Sequence, residues 1–281
     1  MGKLILVAGS GDFPIQVVLA CNKQKMKAVV LAIEGETEKR IELFADEVHW
    51  LRLGQIGKFF KKVKELGVNK LMMAGKVKMD HLAKRDILFD WEALGLLKKL
   101  TEVKDISIFD AIAERLKQDG VEVIDSTLLL KENIPSQGPV TKRKPSQEEL
   151  DDITVGKSVG KALASFSIGQ TVVVKNKIVI AVEALEGTDE TIRRGGAIAG
   201  GGVTVVKVSR PNQDMRFDVP IVGLGTLEAL KEAKAKALAV EAGKTLIFDK
   251  DELIKDAEEN KITIYAFGDG PVGATPQPHI L

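Results

Sequence analysis

The chain has 281 residues, 44% of them hydrophobic, and carries a formal net charge of +1. This length fits two domains with substantial cores, and the near balance of charge excludes a general electrostatic case for nucleic-acid binding. The single cysteine, Cys21, cannot form an internal disulfide and fits a reducing compartment. Because no apolar run approaches the ~18 residues of a membrane span and the start lacks the apolar core of a signal peptide, we expect a soluble protein whose membrane contact is at most peripheral.

Strands and helices alternate in the first half of the chain. We predict strands over residues 3–9, 27–35, 69–77 and 121–125, and helices over 13–25, 56–67 and 107–120. Asp12 is placed to cap the first helix, and Pro14 lies in its first turn. This alternation is typical of an α/β domain with a doubly wound, Rossmann-like parallel sheet.

The composition shifts at residues 131–147, KENIPSQGPVTKRKPSQ, which are polar and contain prolines. We interpret this segment as the linker between an N-terminal domain, residues 1–133, and a C-terminal α/β domain, residues 134–281.

The second half also mixes helices and strands. Ser146 and Glu149 predict a capping box at the start of a helix, and residues 171–185 predict a hairpin that turns at Lys175-Asn176-Lys177. Further strands are predicted over 203–208, 245–248 and 262–268, a long helix over 227–243, and a loose tail over 269–281.

The stretch LVAGSGDFP places Gly9-Ser10-Gly11 between a predicted strand and a predicted helix. Backbone N–H groups at the start of a helix favour a phosphate, but the dinucleotide fingerprint requires a third glycine where this chain has Pro14. Glu34, at the end of the second predicted strand, stands where an acid binds the ribose of a nicotinamide dinucleotide. Three interpretations stay open: an anionic or nucleotide ligand, a dinucleotide, and a tight turn with no ligand.

Carboxylates are densest in EALEGTDETIRRGG, residues 183–196, directly after an apolar strand. The charged residues are Glu183, Glu186, Asp189, Glu190, Arg193 and Arg194. Such acids can hold a hard cation such as magnesium, and the arginines can clamp phosphate; the alternative is a solvated turn whose acids cap the next helix. The glycines over 195–202 predict a mobile loop or a close backbone approach to a ligand.

Asp218 is the candidate catalytic acid in a second polar stretch, SRPNQDMRFDVPIVG, residues 209–223. It stands just before Val219-Pro220. Val219 is held extended because it precedes a proline. The stiff neighbourhood suits a positioned carboxylate, although an isolated acid is more often a turn residue than a catalyst.

Several catalytic motifs are absent from the sequence. The histidines, His49, His81 and His279, are too scattered for the His–Asp cluster of a dinuclear metallophosphatase. There is no R-E-x-x-E-E hydrolase signature, no G-x-S-x-G elbow and no P-loop. Cys21 lies on an apolar helix face and is expected in the core.

Two runs of sequence carry a family resemblance. Residues 168–194, IGQTVVVKNKIVIAVEALEGTDETIRR, and residues 213–223, QDMRFDVPIVG, together resemble the LpxI-type UDP-2,3-diacylglucosamine pyrophosphatases of lipid A biosynthesis. LVAGSGDFP and MAGKV are similar to the amino-terminal half of the same family, so the resemblance covers most of the chain.

The resemblance implies two domains with the lipid substrate in a cleft between them. It implies magnesium-assisted hydrolysis of UDP-2,3-diacylglucosamine to UMP and 2,3-diacylglucosamine 1-phosphate, lipid X, by a cytoplasmic protein in transient contact with the inner membrane. No nucleic-acid partner is expected, and the oligomeric state is left open, with a homodimer as one option. Charge on the phosphoryl oxygens must be neutralised in place, and a carboxylate can bind the metal or orient the attacking water.

The family's catalytic aspartate lies in the R-F-D-x-P run, which is Asp218 here; the predicted metal ligands are Asp218, Asp189 and Glu186. The predicted substrate-binding residues are Gly9, Ser10, Gly11, Lys76, Gln170, Thr188, Arg193, Lys207 and Gln213. Two positions depart from the family pattern, since many members have an acid where Ser167 stands and a proline where Leu224 stands.

Two other functions stay open beside this one. A nicotinamide-dependent oxidoreductase would bind its dinucleotide at the strand that ends in Glu34. A non-catalytic protein would hold an amphipathic lipid for another enzyme.

Overall fold

The computed structural model describes residues 2–77, 89–95 and 108–273. They divide into two compact units, and the mixed α/β fold that the sequence predicts is confirmed. Unit 1 comprises Met1–Leu130 and Asp214–Phe217, and unit 2 comprises Lys131–Gln213 and Asp218–Leu281. In the described part of the chain, no helix has both the length and the apolar character needed to cross a membrane.

Unit 1 is a doubly wound parallel sheet, as predicted. Its elements are β1 (Lys3–Ala8), α1 (Phe13–Lys23), β2 (Lys27–Ile33), a 3-10 helix (Lys39–Leu43), β3 (Glu47–Leu51), α2 (Ile56–Leu66), β4 (Lys70–Ala74), α3 (Ile108–Gln118) and β5 (Glu122–Val123). The strand order is β3-β2-β1-β4-β5, with every pairing parallel. The direction of winding reverses between β1 and β4, which is where open α/β sheets bind ligands.

The core of unit 1 forms where the apolar faces of α2 and α3 meet the sheet. Phe59 and Phe60 of α2 and Leu116 of α3 are buried against Ile5 and Leu71 of the sheet. β1, β2 and β4 are almost wholly apolar because both faces of a parallel sheet are covered.

Two details of unit 1 differ from the sequence prediction. Asp12 stands at the N-cap of α1 but makes no cap hydrogen bond, because its carboxylate pairs with Arg40. Strand β3 was not predicted, since Glu47 and His49 interrupt its apolar character at the edge of the sheet.

Unit 2 is built on a mixed six-stranded sheet. Its elements are a 3-10 helix (Lys131–Asn133), β6 (Gly138–Pro139), α4 (Gln147–Ser165), β7 (Thr171–Lys175), β8 (Ile178–Val182), α5 (Thr188–Ala199), β9 (Thr204–Lys207), β10 (Ile221–Val222), α6 (Leu224–Glu232), β11 (Ala237–Glu241), β12 (Leu246–Ile247), α7 (Lys250–Glu259) and β13 (Thr263–Phe267). The strand order in the sheet is β6-β13-β11-β9-β7-β8. β9, β11 and β13 run parallel, β6, β7 and β8 pair antiparallel to their neighbours, and β10 pairs with β12.

The capping box and the hairpin of unit 2 are confirmed. The Ser146 side chain accepts from the Glu149 backbone N–H, and the Glu149 carboxylate accepts from the Ser146 N–H at 2.8 Å. β7 and β8 are joined by Asn176 and Lys177, both at positive φ, as the tight turns of two-residue hairpins require.

The predicted long helix over 227–243 is wrong. α6 ends at Glu232, Lys234 turns the chain at φ 48°, and Ala237–Glu241 is strand β11. This strand is buried along its whole length between β9 and β13, so pairing and burial override the helix propensity of its alanines.

Most of the glycine-rich segment over 195–202 is helical, because α5 continues to Ala199. Gly195 and Gly196 lie inside α5, where an added Cβ would come within 2.7 Å of Val173 Cγ1 and 2.4 Å of Ala233 Cβ respectively. Gly200 ends the helix in the left-handed conformation. The close approach that Gly195 and Gly196 permit is therefore to Val173 and Ala233.

The predicted linker over 131–147 is folded onto unit 2. β6 pairs with β13, and Arg143 Nη2 lies 2.6 Å from the Glu149 carboxylate. Of the predicted tail, residues 274–281 lie outside the described residues, while Lys157 Nζ donates to the carbonyls of residues 268, 269 and 270.

Candidate functional site

In unit 1, the predicted glycine loop lies at the reversal point of the sheet. Gly9-Ser10-Gly11 follow β1, and Gly75 and Lys76 follow β4, so both loops leave the carboxyl ends of adjacent strands. The topology therefore brings four of the predicted substrate-binding residues to the same edge of the unit 1 sheet: Gly9, Ser10, Gly11 and Lys76.

Backbone hydrogen bonds tie these two loops together. Gly9 N–H donates to Ala74 O at 2.8 Å, and Ser10 N–H donates to Lys76 O at 2.7 Å. The Ser10 hydroxyl also donates to Lys76 O, and Lys76 N–H returns a bond to Ser10 O. The N–H groups of Gly9 and Ser10 are therefore engaged inside the protein rather than directed at a phosphate.

Steric contact explains the glycines of this loop. A Cβ on Gly9 would lie 2.5 Å from Lys76 O, and a Cβ on Gly75 would lie 2.7 Å from Ser10 O. Gly11 differs, because it has open space around it but adopts φ +87°. Glu34, the acid on which the dinucleotide interpretation depends, pairs with Arg52 at 3.2 Å.

In unit 2, strand pairing gathers polar residues at one end of the sheet. β7 runs antiparallel to both β8 and β9, with Thr171 opposite Lys207 and Val172 opposite Val182. The start of β7 therefore lies beside the ends of β8 and β9, although these ends are far apart in sequence.

Hydrogen bonds join the side chains at this end of the sheet. The buried Lys207 donates from Nζ to Thr188 Oγ1 at 2.8 Å, and Thr188 Oγ1 donates to Glu183 Oε1 at 3.1 Å. The other carboxylate oxygen of Glu183 accepts from Gln170 N–H at 3.1 Å. A cation, a hydroxyl and a carboxylate are thus held together at the N-terminus of α5.

Arg210 extends this set of contacts to Asp218. With the Gln170 amide oriented to satisfy its neighbours, its oxygen accepts from Arg210 Nε at 3.3 Å. Arg210 Nη1 lies 3.0 Å from Asp218 Oδ2. Gln213 accepts from Arg210 N–H at 2.7 Å and donates to the Asp218 carbonyl. We call Gln170, Glu183, Thr188, Lys207, Arg210, Gln213 and Asp218 the edge network.

A buried carboxylate anchors the loop that carries Arg210 and Asp218. Glu241 is 1% exposed and accepts from the Ser209 N–H and hydroxyl, at 2.8 and 2.6 Å, and from Lys161 Nζ. Burial by itself raises the pKa of Glu241, but the hydrogen bonds from Lys161, Lys244 and Ser209 outweigh it and hold the pKa at about 2. Ser209 is thereby fixed directly before Arg210.

The same loop passes through unit 1 just before Asp218. Ser126 N–H donates to Met215 O at 3.0 Å, and the Ser126 hydroxyl donates to Arg216 O at 2.8 Å. Phe217 stacks on Phe109 with 5.5 Å between ring centroids. Arg216 forms a close ion pair with Asp214, which holds the pKa of that carboxyl below its usual range. Asp218 is thus preceded by a well-anchored segment.

Three other predicted residues, all on or beside α5, have partners outside the edge network. Asp189 accepts from Thr226 Oγ1 at 2.9 Å. Glu186 pairs with Arg194 at 2.5 Å, and Arg193 pairs with Glu232 and Glu190.

The three predicted metal ligands do not form a preformed site. Asp218, Asp189 and Glu186 each have a different partner, and no group of three or more His, Cys, Asp or Glu side chains placed to hold a metal occurs within residues 2–77, 89–95 and 108–273. The residues present therefore do not fit a magnesium site made by the protein alone.

Comparison with known proteins decides the family. A family model described as the LpxI N-terminal domain matches residues 3–133, and one described as the LpxI C-terminal domain matches residues 136–265. The chain belongs to the LpxI family.

One curated relative from this family matches along nearly the whole chain. It is the UDP-2,3-diacylglucosamine pyrophosphatase LpxI of Caulobacter vibrioides, which is 26% identical over 273 residues, covering 92% of this chain and 95% of the relative.

Solved structures give only distant similarities. The biotin carboxylase subunit of pyruvate carboxylase has a TM-score of 0.26 and 14% identity over 62% of this chain and 35% of that chain. Phosphoribosylglycinamide synthetase from Anaerococcus prevotii has a TM-score of 0.26 and 11% identity over 66% of this chain and 39% of its own. The chain spans little more than a third of either structure, and TM-scores this low do not establish a shared fold.

The sequence singled out five residues that the edge network joins: Gln170, Thr188, Lys207, Gln213 and Asp218. It missed Arg210 altogether and treated Glu183 only as one of a run of acids. The signal for Arg210 was its position at the start of the stretch that carries Asp218, but its partners lie up to 40 residues away in sequence. Of the two departures from the family pattern, Ser167 adopts φ 56° after α4, and Leu224 is the first residue of α6.

Proposed function

We propose that the protein hydrolyses the pyrophosphate bond of UDP-2,3-diacylglucosamine, giving UMP and 2,3-diacylglucosamine 1-phosphate in lipid A biosynthesis. The observation that carries the proposal is the edge network, which gathers Lys207, Arg210 and Asp218 within the C-terminal LpxI match. The name of the Caulobacter vibrioides relative supplies the substrate.

The chemistry of the proposed reaction suits these groups. A water oxygen forms a bond to one phosphorus, the bridging P–O bond breaks, and its electron pair leaves with the other phosphate. Lys207 supplies positive charge for phosphoryl oxygens. In this proposal Asp218, whose side chain is 47% exposed, orients the water and accepts its proton.

Magnesium dependence is part of the proposal in a restricted form. Mg²⁺ is usually held by one or two carboxylates together with substrate phosphates. The proposal is therefore that magnesium accompanies the pyrophosphate, and it predicts that EDTA abolishes turnover by the unmodified protein and that added Mg²⁺ restores it.

Contact with the inner membrane surface is also a proposal. Phe166, Ile168 and Leu185 are exposed, Leu185 fully so. Their loops touch, because a Cβ on Gly169 would lie 2.1 Å from Glu183 O. Apolar side chains beside a polar network suit an amphipathic substrate that resides in a bilayer. The expected result is a protein that sediments in part with vesicles of anionic phospholipid.

The decisive experiment replaces the Asp218 carboxylate. Asp218→Asn should bind UDP-2,3-diacylglucosamine and lose at least ~10²-fold in turnover, because the general base or orienting group is removed. Asp151→Asn is the matched control, since Asp151 is a surface acid on α4 paired with Lys177. Asp189→Ala tests the next predicted ligand in parallel.

Turnover of Asp218→Asn within a few-fold of the unmodified protein, at saturating magnesium, would overturn the catalytic role of Asp218. A protein that binds NAD tightly and ignores UDP-2,3-diacylglucosamine would overturn the proposed function itself. Binding of the lipid nucleotide without turnover by the unmodified protein would indicate a lipid-binding protein.

A further inference from the structure

Arg210 is the residue through which the edge network reaches Asp218. Its guanidinium lies between two acceptors, with Nε 3.3 Å from the Gln170 amide oxygen and Nη1 3.0 Å from Asp218 Oδ2. The planar guanidinium of arginine can donate to one acceptor and place its charge beside a second, whereas the ammonium of lysine is a single point charge.

The backbone reinforces this arrangement. Gln213 accepts from the Arg210 N–H through its side-chain oxygen and donates to the Asp218 carbonyl through its side-chain nitrogen. Ser209, the preceding residue, is held by the buried Glu241 carboxylate. Arg210 and Asp218 are therefore tied to each other both through their side chains and through Gln213.

The two carboxylate oxygens of Asp218 are not equivalent. Within the part of the chain that the structure describes, Oδ2 is shielded from solvent, lies 3.0 Å from Arg210 Nη1 and accepts no hydrogen bond of good geometry. The side chain as a whole is 47% exposed, so its accessible part lies on the Oδ1 side. Arg210 thus covers one oxygen and leaves the other open.

We propose that Arg210 is a positioning residue that holds the Asp218 carboxylate with Oδ2 covered and Oδ1 presented to the reacting pyrophosphate. This inference rests on the proposed function. A carboxylate that is free to rotate spends less time in the productive orientation, and a small misplacement of a reacting group lowers the rate steeply.

The test combines single and double variants in steady-state hydrolysis of UDP-2,3-diacylglucosamine. Arg210→Ala should lower kcat about 10- to 100-fold with little change in KM, and Arg210→Lys should fall between it and the unmodified protein. If Arg210 acts through Asp218, the double variant Arg210→Ala, Asp218→Asn should be no slower than Asp218→Asn. Added guanidinium chloride should raise the rate of Arg210→Ala, whereas sodium chloride at the same ionic strength should not.

Arg115→Ala is the matched control, because Arg115, on α3 of unit 1, pairs with Asp119 just beyond the end of that helix. Thermal melting of every variant separates loss of fold from loss of rate. Unchanged kcat in folded Arg210→Ala, or additive losses in the double variant, would overturn the positioning role while leaving the proposed function intact. Failure of the proposed function is a different result, since the unmodified protein would then not hydrolyse the substrate.

Discussion

The glycine loop of unit 1 and the edge network of unit 2 each lie at the end of a sheet, but they use their polar groups differently. In unit 1, the N–H groups of Gly9 and Ser10 bind the carbonyls of the loop after β4. In unit 2, side chains from separate strands and loops meet, among them Lys207, Arg210 and Asp218. The glycine loop has the composition of a phosphate site, but its close contacts are with the loop after β4. The edge network instead brings together charged side chains that suit phosphoryl chemistry.

The largest predicted effect concerns Glu241, which anchors the loop that carries Arg210 and Asp218. Its pKa is about 2 in the folded protein and about 4.5 ordinarily. Because the folded pKa is the lower one, this group stabilises the fold fully above about pH 5, and its contribution of roughly 3 kcal/mol is lost as the pH falls toward 2. Urea unfolding at a series of pH values should show this loss in the unmodified protein and not in Glu241→Gln.

Glu65→Gln is the control for that experiment, because Glu65 is an exposed carboxyl on α2 of unit 1. It should leave the acid-dependent loss of stability nearly unchanged. An equal pH profile for the unmodified protein and Glu241→Gln would contradict the role of the buried carboxylate.

A second prediction compares one lysine from each region. Lys207→Met removes a buried charged hydrogen bond to Thr188 and should lower kcat/KM about 10- to 100-fold. Lys76→Met should lower it about threefold or less, because the Lys76 side chain is exposed and its backbone makes the contacts to Ser10. Equal losses in the two variants would show that both regions contribute charge to the same degree.

The smallest expected effect concerns the packing of the glycine loop. Gly9→Ala should destabilise unit 1 by roughly 1–2 kcal/mol, the lower part of the range for overpacked sites, because its Cβ would meet Lys76 O. Gly11→Ala meets nothing within 4 Å but forces an L residue to φ +87°, at a cost of roughly 1 kcal/mol. Chemical denaturation measures both. A Gly9→Ala protein as stable as the unmodified one would mean that the two loops separate easily.

Much of the fold could be predicted from local sequence. The capping box at Ser146 and the tight turn at Asn176 and Lys177 depend on residues three or fewer positions apart, and both are present. The alternation of apolar strands and helices correctly predicted the parallel sheet of unit 1. The error at β11 arose because a run rich in alanine has high helix propensity, while its burial between β9 and β13 is a property of the whole sheet.

The candidate site was predictable only in part. Gln170, Thr188 and Lys207 stand in runs with a family resemblance, so the sequence singled them out before their contacts were known. Arg210 stands in the same stretch as Asp218, but its guanidinium also donates to the Gln170 amide, which is 40 residues away in sequence. The pairing of β7 with β9 brings the two residues together.

From the amino-acid sequence alone we could predict the family, the local turns and caps, and the position of Asp218 beside Val219-Pro220, because these depend on neighbouring residues and on continuous motifs. The folded structure was needed to show which acids pair with arginines and which loop glycines serve packing. It also decided that Glu183, Lys207 and Arg210 share one end of a sheet. The meeting of Glu183, Lys207 and Arg210 depends on contacts across paired strands between residues that are 13 or more positions apart, and hydrogen bonds between such residues form only once the sheet has set their register.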